Sequence, residues 1–251
     1  MKGTIISYMK IMIIRHGEPD YTIDSLTEKG WREAEYLAER MSEVKVDECY
    51  VSPLGRARDT AMLSLKKMKK EATTLPWLRE FDPPVKRPDA GGKEAVAWDW
   101  LPEQWTIHDN FFLPNEWMNN ELFDEANVAK EIGIIYAEFE KLLNEHGYKK
   151  EGRLFRAVAP NNKTIVFFCH FGIECVLLSY LLNVSPMVLW HGFCAAPSSV
   201  TTICTEERRP GNAYFRVTSF GDTSHLYVHN EPTSFAARFC ECYTNTDERH
   251  D

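Results

Sequence analysis

At 251 residues the chain is long enough for one large domain or two small ones, and 44% hydrophobic with 26% charged residues excludes the disordered and fibrous classes. A formal net charge of -8 argues against a nucleic-acid-binding surface, while leaving room for a local positive pocket. Neither secretion nor a membrane span is expected, because the apolar residues from Ile11 run straight into Arg15 with no sustained apolar segment and no small-residue cleavage site.

The first predicted element is a strand. Ile11-Met12-Ile13-Ile14 is unbroken aliphatic sequence, the pattern of a strand buried on both faces, and it stops abruptly at Arg15-His16-Gly17-Glu18. Titratable residues directly after such a strand stand where the chain leaves the core, and in open α/β sheets ligands bind there. Asp24-Ser25-Leu26-Thr27-Glu28-Lys29-Gly30 has turn-and-cap composition and leads into a helix with Trp31, Ala34, Leu37, Ala38 and Met41 on one face. Val44 to Val51 alternates as a strand does. Ser52 after it is expected to cap the next helix, with Pro53 in the first turn. That helix runs to about Lys70, and its basic end complements the negative end of the helix dipole.

From Asp82 to Asp124 the character changes. Pro83, Pro84, Pro88, Gly91 and Gly92 break regular structure while Trp98, Trp100, Trp105 and Trp117 accumulate, which reads as a cap inserted at about residues 82–125 over a pocket. Ala126, Ala129, Ile132, Tyr136, Phe139 and Leu143 then predict a long helix to about His146, followed by a polar stretch over 148–162 that includes a loop. A second buried strand, Thr164 to Cys169, ends in His170 and precedes an apolar helix over 172–182. Val200–Thr205 and Tyr214–Phe220 read as two further strands, and the tail after Glu231 is polar and expected to be poorly ordered. The element order predicts a single α/β domain over 1–251, a three-layer α/β/α fold with a central mostly parallel sheet and an inserted cap.

Two strands that end in histidines point to one pocket. Arginine presents a planar fork of donors that matches phosphoryl oxygens, so Arg15 and Arg56 together suggest an anion. A neutral imidazole is a competent nucleophile toward phosphorus, and the arginines would stabilise the charge that redistributes. A leaving alkoxide needs a proton and the hydrolytic water needs a base. A carboxyl group with a raised pKa suits both tasks, and Glu80, just before the aromatic insertion, is the best candidate, with Asp82 and Glu94 as substitutes.

Arg15-His16-Gly17-Glu18 resembles the signature of the histidine phosphatase superfamily, in the branch that includes cofactor-dependent phosphoglycerate mutases. Asp24 to Gly30 is similar to that family's D-x-L-T-x-x-G segment, and Ser52 to Ala61 to its S-P-L-x-R-A-x-x-T-A helix start; Asp222 to Leu226 is a weaker match to a late segment. The resemblance implies His16 as the phosphorylated nucleophile, Arg15 and Arg56 as phosphate clamps, His170 as a phosphate-binding and transition-state-stabilising group, and Glu80 as acid then base. It implies no metal and no cofactor, and only this register separates Arg56 from Arg58. Helix-start amides near Phe171 and Gly172 would add to the anion field.

Phe81-Asp82-Pro83-Pro84 follows Glu80 where many relatives carry a glycine and a W-E-G-like element, and His170 is followed by Phe171-Gly172 rather than two glycines. Pro19-Asp20-Tyr21 lacks the asparagine that many mutases place soon after the signature. The expectation is therefore hydrolysis of a small phosphorylated metabolite, with no nucleic-acid or membrane partner; the alternatives are mutase-like phosphotransfer and a non-catalytic phospholigand-binding module. Oligomeric state is not indicated. Seven cysteines without a C-x-x-C pair fit reduced thiols and a cytoplasmic setting, and Cys240-Glu241-Cys242 lacks zinc spacing. Glu18 is expected to be structural, His191 and His225 to be packed or hydrogen-bonded, and Cys169 to be a buried, unreactive thiol.

Overall fold

The computed structural model describes residues 8–235 and 241–245. In chain order the strands of the main sheet are β1 (Lys10–Arg15), β2 (Glu48–Val51), β3 (Thr73–Thr74), β4 (Tyr148–Glu151), β5 (Leu154–Ala157), β6 (Thr164–Cys169), β7 (Val200–Arg209) and β8 (Asn212–Asp222). They lie in the order β3-β2-β6-β1-β7-β8-β5-β4. The pairings from β3 to β1 are parallel and those from β1 to β4 antiparallel, so that only β5 and β7 run against the common direction. The central mostly parallel sheet is thus present, with its parallel half carrying both histidine junctions.

Alternation along the central strands builds the layers. Met12, Ile14, Val166 and Phe168 face α1 (Glu28–Ser42) and α2 (Gly55–Met68), whereas Ile11, Ile13, Ile165 and Phe167 face the opposite core. That second core is built by α3 (Val128–Glu145), α4 (Phe171–Leu182) and α5 (Pro186–Gly192). Thr27 caps α1 by accepting from the Gly30 amide. α4 is buried around nearly its whole circumference, as its unbroken apolar sequence requires.

The structure adds two elements and moves one cap. Residues 148–157 form the β4–β5 hairpin: Tyr148, Phe155 and Ala157 face the core and the polar residues between them face outward, turning at Gly152 with φ +61°. Ser52 does not cap α2, whose N-cap is Leu54; its hydroxyl instead accepts from the Leu54 amide and meets His170. Ser-Pro capping chemistry operates at Ser185-Pro186, which opens the unforeseen α5.

Residues 82–125 carry a small hairpin (Val85–Lys86 with Glu94–Ala95) and the short helices Pro102–Trp105 and Glu121–Glu125. Trp100, Phe111, Trp117 and Phe123 pack edge-on or stacked among themselves, and Trp117 meets Trp190 of α5 at 5.6 Å. No helix among the described residues is long and apolar enough to cross a membrane.

Candidate active site

The register of the parallel strands brings the junctions together. Arg15 is paired with Cys169, so His16 and His170 emerge side by side, with the His16 amide donating to the Cys169 carbonyl at 3.0 Å. Ser52 leaves the next strand in the same way, its amide donating to Phe168 at 2.9 Å. The two imidazole rings lie 5.1 Å apart, centroid to centroid.

Hydrogen bonds fix what each ring can do. His16 Nδ1 is 2.7 Å from the Gly17 carbonyl, which can only accept, so the proton resides on Nδ1 and Nε2 keeps its lone pair. Burial, with Arg15 and Arg56 adding to it, holds the His16 pKa well below the ordinary range, and the ring stays neutral. His170 Nε2 is 2.7 Å from Ser52 Oγ. The same hydroxyl accepts from the Leu54 amide, and His170 Nδ1 is a buried atom with no partner among the described residues. His170 is likewise kept neutral, chiefly by burial and then by His16 and Arg56.

Around this pair stand the charged groups. Arg15, 2% exposed, donates to the Ala195 carbonyl and lies 5.5 Å from the Phe171 ring. Arg56 pairs with Asp24 at 2.6 Å, and the second Asp24 oxygen accepts from the Gly55 amide at 2.7 Å, so one carboxylate orients the arginine and the start of α2 together. Burial works to raise the Asp24 pKa, but these hydrogen bonds outweigh it and hold the carboxyl below its usual value.

Glu80 reaches the start of α4. Its Oε1 accepts from the Phe81 and Ile173 amides at 2.8 and 3.0 Å. Burial raises its pKa, opposed by those amides and by Arg15. Helix-start amides near Phe171 and Gly172 are expected to add to the anion field; the next amide, that of Ile173, is committed to Glu80. A Cβ at residue 172 would stand 2.6 Å from Glu80 Oε1 and 2.6 Å from Trp98 Nε1, so only glycine lets the helix start approach. Asp82 and Glu94, the alternative acids, are exposed.

The remaining residues singled out in the sequence occupy other places. His191 donates from Nδ1 to Met187 and accepts at Nε2 from the Trp100 amide; His225 contacts Ser198 Oγ through Nε2 at 3.1 Å. Glu18 accepts from the hydroxyls of Thr27 and Ser234 and pairs with no arginine among the described residues. Burial pushes the Cys169 thiol well up. Arg58 is exposed, Cys240 lies outside the described residues, and no group of three or more His, Cys, Asp or Glu among the described residues is placed to hold a metal ion.

Sequence reasoning missed three supporting groups. Ser52 holds the His170 ring through Nε2 at 2.7 Å, and its position as the first residue past β2 was the available signal. Asp24 orients Arg56, which pattern alone does not show. Glu174 lies buried in α4 near Arg15 and Glu80, where burial pushes its carboxyl up to about 7. No periodicity announces it.

Residues 11–89 match the profile of the histidine phosphatase superfamily (branch 1). A 2,3-bisphosphoglycerate-dependent phosphoglycerate mutase of Thermoplasma acidophilum is 42% identical over 77 residues, covering 26% of this chain and 38% of the mutase; the chain thus aligns with well under half of that relative's length. The fold is similar to phosphoglycerate mutase from Bacillus anthracis (TM-score 0.59, 19% identity, 90% of this chain and 98% of that one). It is also similar to phosphoserine phosphatase from Entamoeba histolytica in complex with 3-phosphoglyceric acid (TM-score 0.57, 22% identity, 87% and 99%). A mycobacterial glucosyl-3-phosphoglycerate phosphatase gives a TM-score of 0.53 at 15% identity over 85% and 99%. The signature at the end of β1 lies inside the residues that match the histidine phosphatase superfamily profile, and the chain as a whole shares its mixed α/β fold with such phosphatases and mutases.

Proposed function

We propose that the chain is a metal-independent phosphomonoesterase that works through a phosphohistidine at His16 on a small phosphorylated metabolite. The observation that carries this reading is the His16 tautomer: Nδ1–H is spent on Gly17, and the Nε2 lone pair is held beside His170, Arg15 and Arg56. His16 Nε2 attacks phosphorus, the ester P–O bond breaks, and the Glu80 carboxyl gives its proton to the leaving alkoxide. Glu80, now a carboxylate, takes a proton from water as that water attacks phosphorus; the N–P bond breaks and inorganic phosphate leaves. Arg15, Arg56 and His170 hold the non-bridging oxygens throughout.

The net charge of -8 supports a metabolite rather than nucleic acid as substrate, with no membrane partner. Unpaired cysteines, three of them buried, support a cytoplasmic setting. Release of inorganic phosphate from a monoester panel, with chelator present, tests the reading. Turnover is expected from the wild-type protein and none from His16→Ala; equal turnover by both refutes it. Mutase-like phosphotransfer is the second reading, favoured by the 42% identity to a phosphoglycerate mutase over the signature region. Isomerisation of phosphoglycerate without phosphate release would select it.

A further inference from the structure

The solvent side of the site is formed by the chain that follows Gly17. Pro19–Asp20 pairs antiparallel with Ser25–Leu26, and Tyr21 opens the turn that joins them. Two ties fix that turn. Thr22 donates from its amide and its hydroxyl to Asp20 Oδ1 at 2.9 and 2.6 Å. Asp24, at φ +49°, gives its carboxylate to Arg56 and to the Gly55 amide. Tyr21 is therefore held in place although it is 65% exposed.

Its place is against the two arginines. The Arg56 guanidinium carbon stands over the Tyr21 ring, 5.4 Å from its centroid, so the guanidinium is gripped by Asp24 at Nη1 and by an aromatic face. Burial lowers the Arg15 pKa, and the Tyr21 phenol is the first of the groups that oppose it, which puts the phenol within electrostatic reach of Arg15 too. Beneath the ring, hydrogen-bonding capacity is left over. Arg56 Nε is buried with no partner among the described residues, and so is His170 Nδ1. A buried donor without an acceptor is costly, and an oxyanion set beside it removes that cost. Tyr21 is the exposed group next to that unfilled place, with a hydroxyl free to donate.

We propose that Tyr21 is a phosphate-binding residue, closing the solvent side of the site and donating from its hydroxyl to a non-bridging oxygen of the bound phosphoryl group. The inference rests on the reading of Arg15 and Arg56 as phosphate clamps. Calorimetric titration of inorganic phosphate into the wild-type protein, Tyr21→Phe, Tyr21→Ala and Arg56→Ala tests it. Tyr21→Phe keeps the ring against Arg56 and removes only the hydroxyl, and at an exposed turn position neither Tyr21 variant disturbs the core. Phosphate is expected to bind about tenfold more weakly to Tyr21→Phe, more weakly again to Tyr21→Ala, and not measurably to Arg56→Ala. Wild-type affinity in Tyr21→Phe overturns the proposal even if Tyr21→Ala is impaired, because the ring is then only a prop for Arg56. If Arg56→Ala loses phosphate and Tyr21→Phe does not, the proposal falls alone; if neither loses it, or the wild type binds none, the clamp reading falls with it. Phosphate binding that depends on the Tyr21 hydroxyl, without turnover of any monoester, sinks the hydrolase and keeps the role of Tyr21.

Discussion

Gly172→Ala perturbs Glu80, the proposed general acid, without touching His16, the proposed nucleophile. The added methyl would stand 2.6 Å from both Glu80 Oε1 and Trp98 Nε1, whereas ordinary contact begins at 3.4 Å, so one or both must move by about 0.8 Å. Neither moves freely: Glu80 is held by the Phe81 and Ile173 amides and Trp98 by the Phe81 carbonyl at 2.6 Å. Displacement of a catalytic group by about 1 Å costs on the order of a hundredfold, within the ~10²–10⁴-fold that general acid catalysis contributes. The structural cost is about 1–3 kcal/mol of overpacking, which a protein of this size tolerates. The assay is a leaving-group series at constant phosphate group. Alkyl monoesters, whose alkoxides need the proton, are expected to lose about a hundredfold in kcat/KM, while an aryl ester with a stable phenolate loses less than about tenfold. A uniform loss across the series, or no loss on alkyl esters, refutes the assignment of Glu80 as proton donor.

Other expectations follow from the same geometry. kcat/KM falls on the acid side as His16 is protonated, at a pKa well below the usual histidine value, and on the alkaline side as Glu80 ionises, at a pKa above the usual glutamate value; a pH profile in which His16 alone sets a single limb contradicts this. Glu174 is protonated in both states at low pH, but between its ordinary pKa and about 7 the unfolded chain ionises first, so stability is lost as pH rises through that window. Glu174→Gln removes that loss and is expected to gain up to ~3 kcal/mol relative to wild type above the window and little below it, measured by urea unfolding at two pH values. Asp24→Asn frees Arg56 from its oriented pair and weakens inorganic phosphate binding about tenfold by calorimetry, with the fold unchanged by circular dichroism; unaltered affinity counts against Arg56 as a phosphate group.

The parallel half of the fold was legible because its strands are buried on both faces. Ile11–Ile14 and Ile165–Cys169 announce themselves as apolar runs, the first ending in Arg15-His16 and the second in His170. The β4–β5 hairpin was not legible, because a short edge hairpin with one solvated face reads as polar sequence between Tyr148 and Ala157. Ser52 illustrates a subtler limit. Ser-Pro before a helical pattern is good capping chemistry, yet tertiary contact with His170 claims the hydroxyl, and the true helix starts at Gly55. The start of α4 was legible as an anion-binding helix start, but its Ile173 amide meets the chain's own Glu80 carboxyl, which no local pattern connects to a residue more than ninety positions away.

Covalent chemistry at His16 is the central claim, and trapping tests it most directly. Alkaline quenching during steady turnover, which preserves the N–P bond, followed by mass spectrometry of the peptide that carries His16, is expected to find a phosphoryl group on that histidine and none in Glu80-competent His16→Ala protein. Steady turnover with His16 unmodified, or with the phosphoryl group on another residue, contradicts it.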